Sequence, residues 1–430
     1  MAGRDVVITG LGLTSPLGST VRENWNAVRS MKTGISCRPG EGLPEYLQYS
    51  GMVSRYELPA DIPPKQTGQM KFLNRGALLG FCAAAEALSS SKESINEIDP
   101  GRRALYIASG DHTKIGYDFM APAIRDGVDR STGTVDYARL NEAALNKVNP
   151  FFLLESLNNN LFSFLSAYAE FMGTNTSLAS LSPCGGNALE LAYRSIRQNR
   201  ADAALAVGYG SWISELSLYE LEGLGILSRC SEGSSSFRPF DRRRDGFIPG
   251  EGGAAILLES AESAEAKGST ILAKVGECGN CSEFSSRDAF TVHEKVISRN
   301  ILGVIESAST SIGDLAFIIP HGSGTRKGDR SEMKSLAGIF AGRMENPPVC
   351  GLKPYTGHMG AASDIAEIIF GIHAVKEQMV PATLNFRETE KEFSSLKISA
   401  SLEPCTGSRF LSISYGVGGQ SSSVIVEVFK

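Results

Sequence analysis

Short apolar runs, rich in β-branched residues and often closing on glycine, recur along the chain. They are VVITGLG (6–12), ALYIASG (104–110), AALAVGYG (203–210), AAILLES (254–260), AFIIPHGSG (316–324), FLSISYGVGG (410–419) and SSVIVEVF (422–429). Runs of this length and composition predict buried strands. Longer stretches with helical periodicity lie between them, such as RGALLGFCAAAEAL (75–88) and SDIAEIIFGIHAVKEQ (363–378). Strands alternating with helices predict an α/β protein whose sheets are largely covered. The pattern divides into two halves, 1–259 and 260–430. No evident linker separates them, so they are expected to share one interface.

One position interrupts this pattern with chemistry. In SLSPCGGNALELA (180–192) a single cysteine stands between a proline and two glycines, after the strand-like TSLASLS. The following residues NALELAYRSIRQNRAD place Ala188, Leu191, Ala192 and Ile196 at helical spacing. Pro183 can enter a helix but not sit inside one. Cys184 is therefore expected at a helix N-terminus, where exposed amides and the helix dipole favour a thiolate and lower its pKa. Gly185 and Gly186 remove bulk beside the sulfur, which is expected to let a substrate carbonyl approach the backbone. The bland alternative is a small buried hydrophobe.

Composition removes several other classes. The 430 residues carry 42 basic and 47 acidic side chains, a net charge of −5, against the basic excess usual in nucleic-acid binders. The N-terminus enters a strand-like run with no signal peptide, and no apolar stretch reaches membrane-spanning length, so the cytosol is the expected location. Eight cysteines lack a framework spacing and are expected as thiols. Cys278 and Cys281 form a CxxC without a second pair for zinc, which predicts a turn at a strand edge. Gly10, Gly12 and Gly18 miss the dinucleotide-binding spacing.

Two of the five histidines stand where strand or loop gives way to glycines: His321 in FIIPHGSGTRKGD and His358 in KPYTGHMGAAS. Such junctions are common site positions in α/β folds. His112, His293 and His373 lack these surroundings.

Five segments together resemble the β-ketoacyl synthases of the thiolase superfamily, of the elongating type related to ketoacyl synthase II. They are RDVVITGLGLTSPLGSTVRENWNAV (4–28), FRPFDRRRDGFIPGEGGAAILLES (237–260), HGSGTRKGD (321–329), KPYTGHMGAAS (353–363) and SISYGVGGQSSSVIV (412–426). The resemblance implies a thiolase fold, a duplicated α/β/α/β/α five-layer architecture, and a dimer formed through the strand before Cys184. It implies that Cys184 accepts an acyl chain, that the backbone amides of Cys184 and Val417 form the oxyanion hole, and that His321 and His358 assist decarboxylation of malonyl. Lys353 and Glu332 would form a charged pair orienting the histidines. No metal or organic cofactor is implied.

Some residues depart from the family pattern. Pro183 and Gly185 flank the cysteine where alanine and serine or alanine are usual, Pro320 replaces an alanine, and Val417 replaces the aromatic that gates the acyl pocket. The segment 285–300 looks shortened. These departures favour a specialised type II polyketide or polyene ketosynthase over fatty-acid elongation by a 3-oxoacyl-carrier-protein synthase II. A thiolase is disfavoured, because SISYGVGGQ lacks its second cysteine. A non-catalytic chain-length factor is disfavoured by the retained Cys184, His321 and His358. The implied partners are an acyl carrier protein, loaded with acyl or malonyl, and a second subunit, identical or a ketosynthase/chain-length-factor homologue. Candidates for a basic carrier-docking surface are Arg238, Arg242, Arg243, Arg244, Arg326 and Lys327, with Lys65 and Lys71 behind them. The competing reading is that DRRRD satisfies its own charges internally.

Overall fold

The computed structural model describes residues 3–39, 43–111, 117–129, 131–155, 157, 160–282, 294–343 and 345–429. Nine strands share one hydrogen-bonded network: β1 (Val6–Thr14), β2 (Arg103–Ser109), β3 (Asn175–Ala179), β4 (Ala203–Ser211), β5 (Glu251–Ser260), β6 (Ala273–Ser282), β7 (Leu315–Ile319), β8 (Arg409–Tyr415) and β9 (Gln420–Val428). Their order is β3-β2-β4-β5-β1-β6-β9-β8-β7. In the first half, β2 runs parallel to β3 and β4, and β5 is antiparallel to β4 and β1. The second half repeats this plan. There β8 is parallel to β7, β9 is antiparallel to β8 and β6, and a parallel bridge from Ile318 to Val349 takes the place of the outermost strand. The antiparallel pairing of β1 with β6 joins the two halves.

Helices account for the other layers. They are α1 (Arg75–Ser89), α2 (Cys184–Arg197), α3 (Glu294–Ser307), α4 (Arg326–Phe340) and α5 (Ala361–Lys376). α1 packs on β1, β4 and β5; α3 packs on β6, β9 and α4. Between the half-sheets lie α2 and α5, each touching strands of both. The sequence explains this placement. Every residue of α5 from Ala361 to Ile372 is buried, as a helix with apolar residues on every face requires, although Asp364 and Glu367 are among them. The central core accordingly draws Ala188 and Ile196 from α2, Ile365 and Ile369 from α5, and Ile256, Phe410 and Val424 from the sheets. The outer cores are separate: Phe81, Ala84 and Leu161 on one side, Ile297, Leu336 and Phe340 on the other. The result is the five-layered α/β thiolase architecture.

β2, β4 and β5 are buried almost throughout, which is why they read as continuous apolar runs. β6 is the exception. Its sequence AKVGECGNCS is polar and carries two glycines, and periodicity does not predict it. Cys278 and Cys281 therefore lie inside a strand, opposite Val424 and Ser421, and not in a turn at its edge. Three residues apart on a strand, they face opposite sides of the sheet. All eight cysteines are free.

Candidate active site

α2 begins at Cys184, as its surroundings predict, with Pro183 at the cap position. The cap residue supplies no side-chain hydrogen bond, so the first amides of the helix need another acceptor. They find it across the molecule. Asp364, in the first turn of α5, accepts from the Gly185 amide at 3.1 Å and from Ser182 Oγ at 3.5 Å. The Gly186 amide and Ser414 also bond to this carboxylate and favour its charged form. Burial opposes them and raises Asp364 to about 6.

Cys184 is 1% exposed, and its sulfur is hydrogen-bonded inside the protein. It donates to Ser180 O at 3.0 Å and lies 3.6 Å from Ser109 O. Burial, and then the Asp364 carboxylate, push the thiol well above its ordinary value. This corrects the expectation of a lowered pKa: the dipole of α2 is opposed by desolvation and by a like charge at the same helix end. The two glycines also act differently from expectation. A Cβ on Gly185 would run into the carbonyl of Ala361, and one on Gly186 into Ser422 Oγ. The space they leave admits the protein's own backbone and side chains, not a substrate.

His321 lies just beyond β7, after Pro320. Its amide donates to Glu332 Oε1 at 2.8 Å, and that of Gly322 donates to Oε2 at 3.0 Å. Lys353 Nζ donates to the carbonyl of His321 at 2.6 Å and to both oxygens of Glu367 at 2.9 and 3.1 Å. The ion pair of Lys353 is therefore with Glu367. This corrects the expected pairing with Glu332, which instead clamps two backbone amides. Burial raises Glu332 to about 8 and Glu367 to about 7.

His358 lies before α5. The amide of Gly360 donates to its Nδ1 at 3.2 Å, which places the proton of the neutral ring on Nε2. Trp212 and Phe247 pack on the ring with centroids at 4.7 and 4.9 Å. The two imidazoles are 5.3 Å apart, and Tyr415 covers His321 at 4.4 Å. Desolvation, and then the charge of Lys353, hold both rings well below the ordinary histidine value. Both are neutral at pH 7 and can donate an N–H. His373 lies elsewhere, stacked on Trp25. His112, His293 and most of the segment 285–300 lie outside the described residues.

A cavity of about 610 Å³ reaches both histidines. Its apolar wall includes Leu181, Leu221, Leu224, Ile226 and Phe247, and Ser182 and Val417 line it beside the start of α2. Val417 is 41% exposed and sits on the tight turn between β8 and β9. The turn packs closely: a Cβ on Gly416 would strike the carbonyl of Ser182.

The match to family models follows this geometry. Residues 3–264 match the β-ketoacyl synthase N-terminal domain and residues 275–387 its C-terminal domain. The chain belongs to the β-ketoacyl synthase family. It is an acyltransferase-type condensing enzyme. The 3-oxoacyl-[acyl-carrier-protein] synthase 2 of Staphylococcus aureus (strain COL) is 24% identical over 426 residues, covering 99% of this chain and 98% of that relative. Two solved structures cover 100% of both chains with a TM-score of 0.82 and 22% identity. One is a type II polyketide acyl-carrier protein in complex with its ketosynthase bound to the hexaketide, the other the ishigamide ketosynthase/chain length factor.

This β-ketoacyl synthase distributes its basic residues unlike the expectation. Arg238 and Arg244 are buried, and no docking role is open to them. Arg238 pairs with Glu232; Arg244 pairs with Glu390 at 2.8 Å and Asp329 at 3.7 Å. Arg243 pairs with Asp241, and Arg242 is exposed beside Glu388. Of the three arginines of DRRRD, Arg243 pairs with a flanking aspartate of the segment, whereas Arg242 and Arg244 take carboxylates from elsewhere in the chain. Lys65 is exposed on the short helix Pro64–Thr67, and Lys71 lies over the rings of Phe72 and Phe151. Neither lines the cavity, whereas Arg326 and Lys327 do, joined by Arg330 and Lys334. Those last two were missed, although 326, 330 and 334 repeat every fourth residue along α4, a helical-face signal. Asp364 and Glu367 were missed too. Their signal is two carboxylates on an otherwise apolar helix, where a buried charge needs a partner.

Proposed function

We propose that this enzyme joins a chain held on Cys184 to malonyl carried by an acyl carrier protein, in a specialised type II polyketide or aryl-polyene pathway. The observation that carries the condensation is the pair of neutral imidazoles 5.3 Å apart in a cavity beside the helix that Cys184 opens. In this reading the Cys184 thiol gives up its proton and attacks the incoming thioester, and the carrier thiol leaves with a proton. The amides of Cys184 and Val417 hold the oxyanion. Malonyl then loses carbon dioxide. His321 and His358 stabilise the enolate oxygen by N–H donation, and its carbon displaces Cys184 to form the new C–C bond. Lys353 and Glu332 are positioning residues: each fixes the backbone of His321. No metal or cofactor takes part.

The polyketide assignment is supported by Val417, a β-branched side chain with less bulk than the aromatic gate of the family. The carrier protein would meet the basic face at Arg326 and Lys327. The second subunit, identical or a chain-length-factor homologue, would pair along β3, whose side chains are exposed or half-buried. The halves 1–259 and 260–430 then supply the cysteine and the histidines respectively.

The test is intact-mass analysis of the purified protein given an acyl donor and malonyl-loaded carrier protein, alone and with any co-encoded homologue. An adduct lost in Cys184→Ala, followed by a poly-β-keto product, is the expected result. A single condensation on a saturated acyl chain would instead support fatty-acid elongation. Absence of adduct in every mixture would overturn the catalytic reading in favour of a chain-length-factor role.

A further inference from the structure

We infer that Asp364 governs the reactivity of Cys184, as a positioning residue that caps the cysteine's helix from the opposite half of the molecule. The inference rests on the reading of Cys184 as acyl acceptor. Three observations carry it. First, α2 has a proline at its cap position and no side-chain cap of its own. Second, Asp364 is 1% exposed and takes the vacant acceptor role, bonding the Gly185 amide next to the cysteine. Third, the residue after the cysteine is shaped for it: a Cβ at Gly185 would lie 3.0 Å from the Asp364 side chain.

The chemistry has two sides. The carboxylate fixes the first turn of α2 and hence the direction of the thiol. Its charge also disfavours a thiolate at the same helix end, so the nucleophile rests protonated. The groups facing Asp364 can be named. Cys184 faces it from α2, Lys353 exerts an opposing positive charge, and Glu367 lies one turn along α5. Ser182 and Ser414 offer hydroxyls only.

The experiment follows alkylation of Cys184 by iodoacetamide, read on its own peptide by mass spectrometry, in wild type, Asp364→Asn and Asp364→Ser from pH 5 to 9. Removing one adjacent charge lowers a pKa by about 1–3 units, and the thiolate loses part of that gain in nucleophilicity. Alkylation at pH 8 is therefore expected to rise about three- to thirty-fold in either folded variant. The ratio to wild type should shrink below pH 6, where the native carboxyl, raised to about 6, takes up its own proton. Asp364 helps to raise Glu367, so Glu367 titrates lower in both variants; the same comparison in a Glu367→Gln background removes that contribution. Equal rates at pH 8 would overturn the inference. So would a faster rate whose ratio is the same at every pH, which reports loosened packing. The readout needs no turnover, so it stands apart from the test of condensation.

Discussion

His321 and His358 line one cavity, Cys184 is buried at the start of α2 beside it, and burial drives each of the three toward its neutral form. For the histidines this suits the chemistry, since a neutral imidazole keeps one N–H to donate, on Nε2 in His358. It also has a cost in stability. Both rings stay neutral in the fold but take up protons on unfolding below about pH 6.5. The unfolded state then binds more protons, so these two residues make stability fall as pH drops below 6.5. Glu332 and Glu367 act in the opposite sense, because their raised values let the folded state hold protons between 4.5 and about 8 and about 7. A variant comparison separates the two. In His358→Gln the slope of unfolding free energy against pH between 6.5 and 5 should decrease by up to about 1.4 kcal/mol per unit. Urea titrations across that range measure it, and parallel curves for the two proteins would contradict the assignment. At this scale the identity and location of the three residues were legible in the sequence. The thiol's electrostatics were not, because Asp364 lies 180 positions away.

The decisive contact between elements is the start of α5 against the start of α2. Gly185 lets Ala361 and Asp364 approach the cysteine's first turn, so the departure from the serine or alanine usual in the family is matched by a neighbour from the other half. Gly185→Ser, which restores a family-like residue, should therefore separate the helices. A destabilisation of about 1–3 kcal/mol is expected, as for other overpacked cores, together with loss of the Cys184 adduct. Chemical denaturation and intact mass read the two effects. A stable variant that still acylates would show that α5 yields without consequence. Sequence pattern found α1, α2 and α5 because each is long and periodic. It missed β6, whose glycines and polar residues are held in place by pairing with β1 and β9 and by no local preference.

Across the whole molecule, the net charge of −5 conceals a basic face on α4 at the mouth of the cavity. Exposed charges there act mainly on encounter and on KM, and salt screens them. Replacing Arg326 and Arg330 together by Glu should raise KM for malonyl-loaded carrier protein about tenfold at low salt, with kcat little changed. The difference should narrow as salt is added. An unchanged KM in steady-state kinetics would place the docking surface elsewhere. Arg238 and Arg244 would give a different result, since removing either leaves a carboxylate without its buried partner.

The sequence by itself determined the α/β class, the helix that begins at Cys184, the glycine-bordered positions of His321 and His358, and membership of the condensing-enzyme family through five ordered motifs. These are properties of local periodicity and of short segments, which a linear reading can see. Tertiary structure alone decided the partner of each charge: Lys353 with Glu367, Glu332 with two amides, Asp364 with the cysteine's helix, and the arginines of DRRRD with their own surroundings. Charges act through space in a medium of low polarity, so their effects depend on which distant segments the fold brings together.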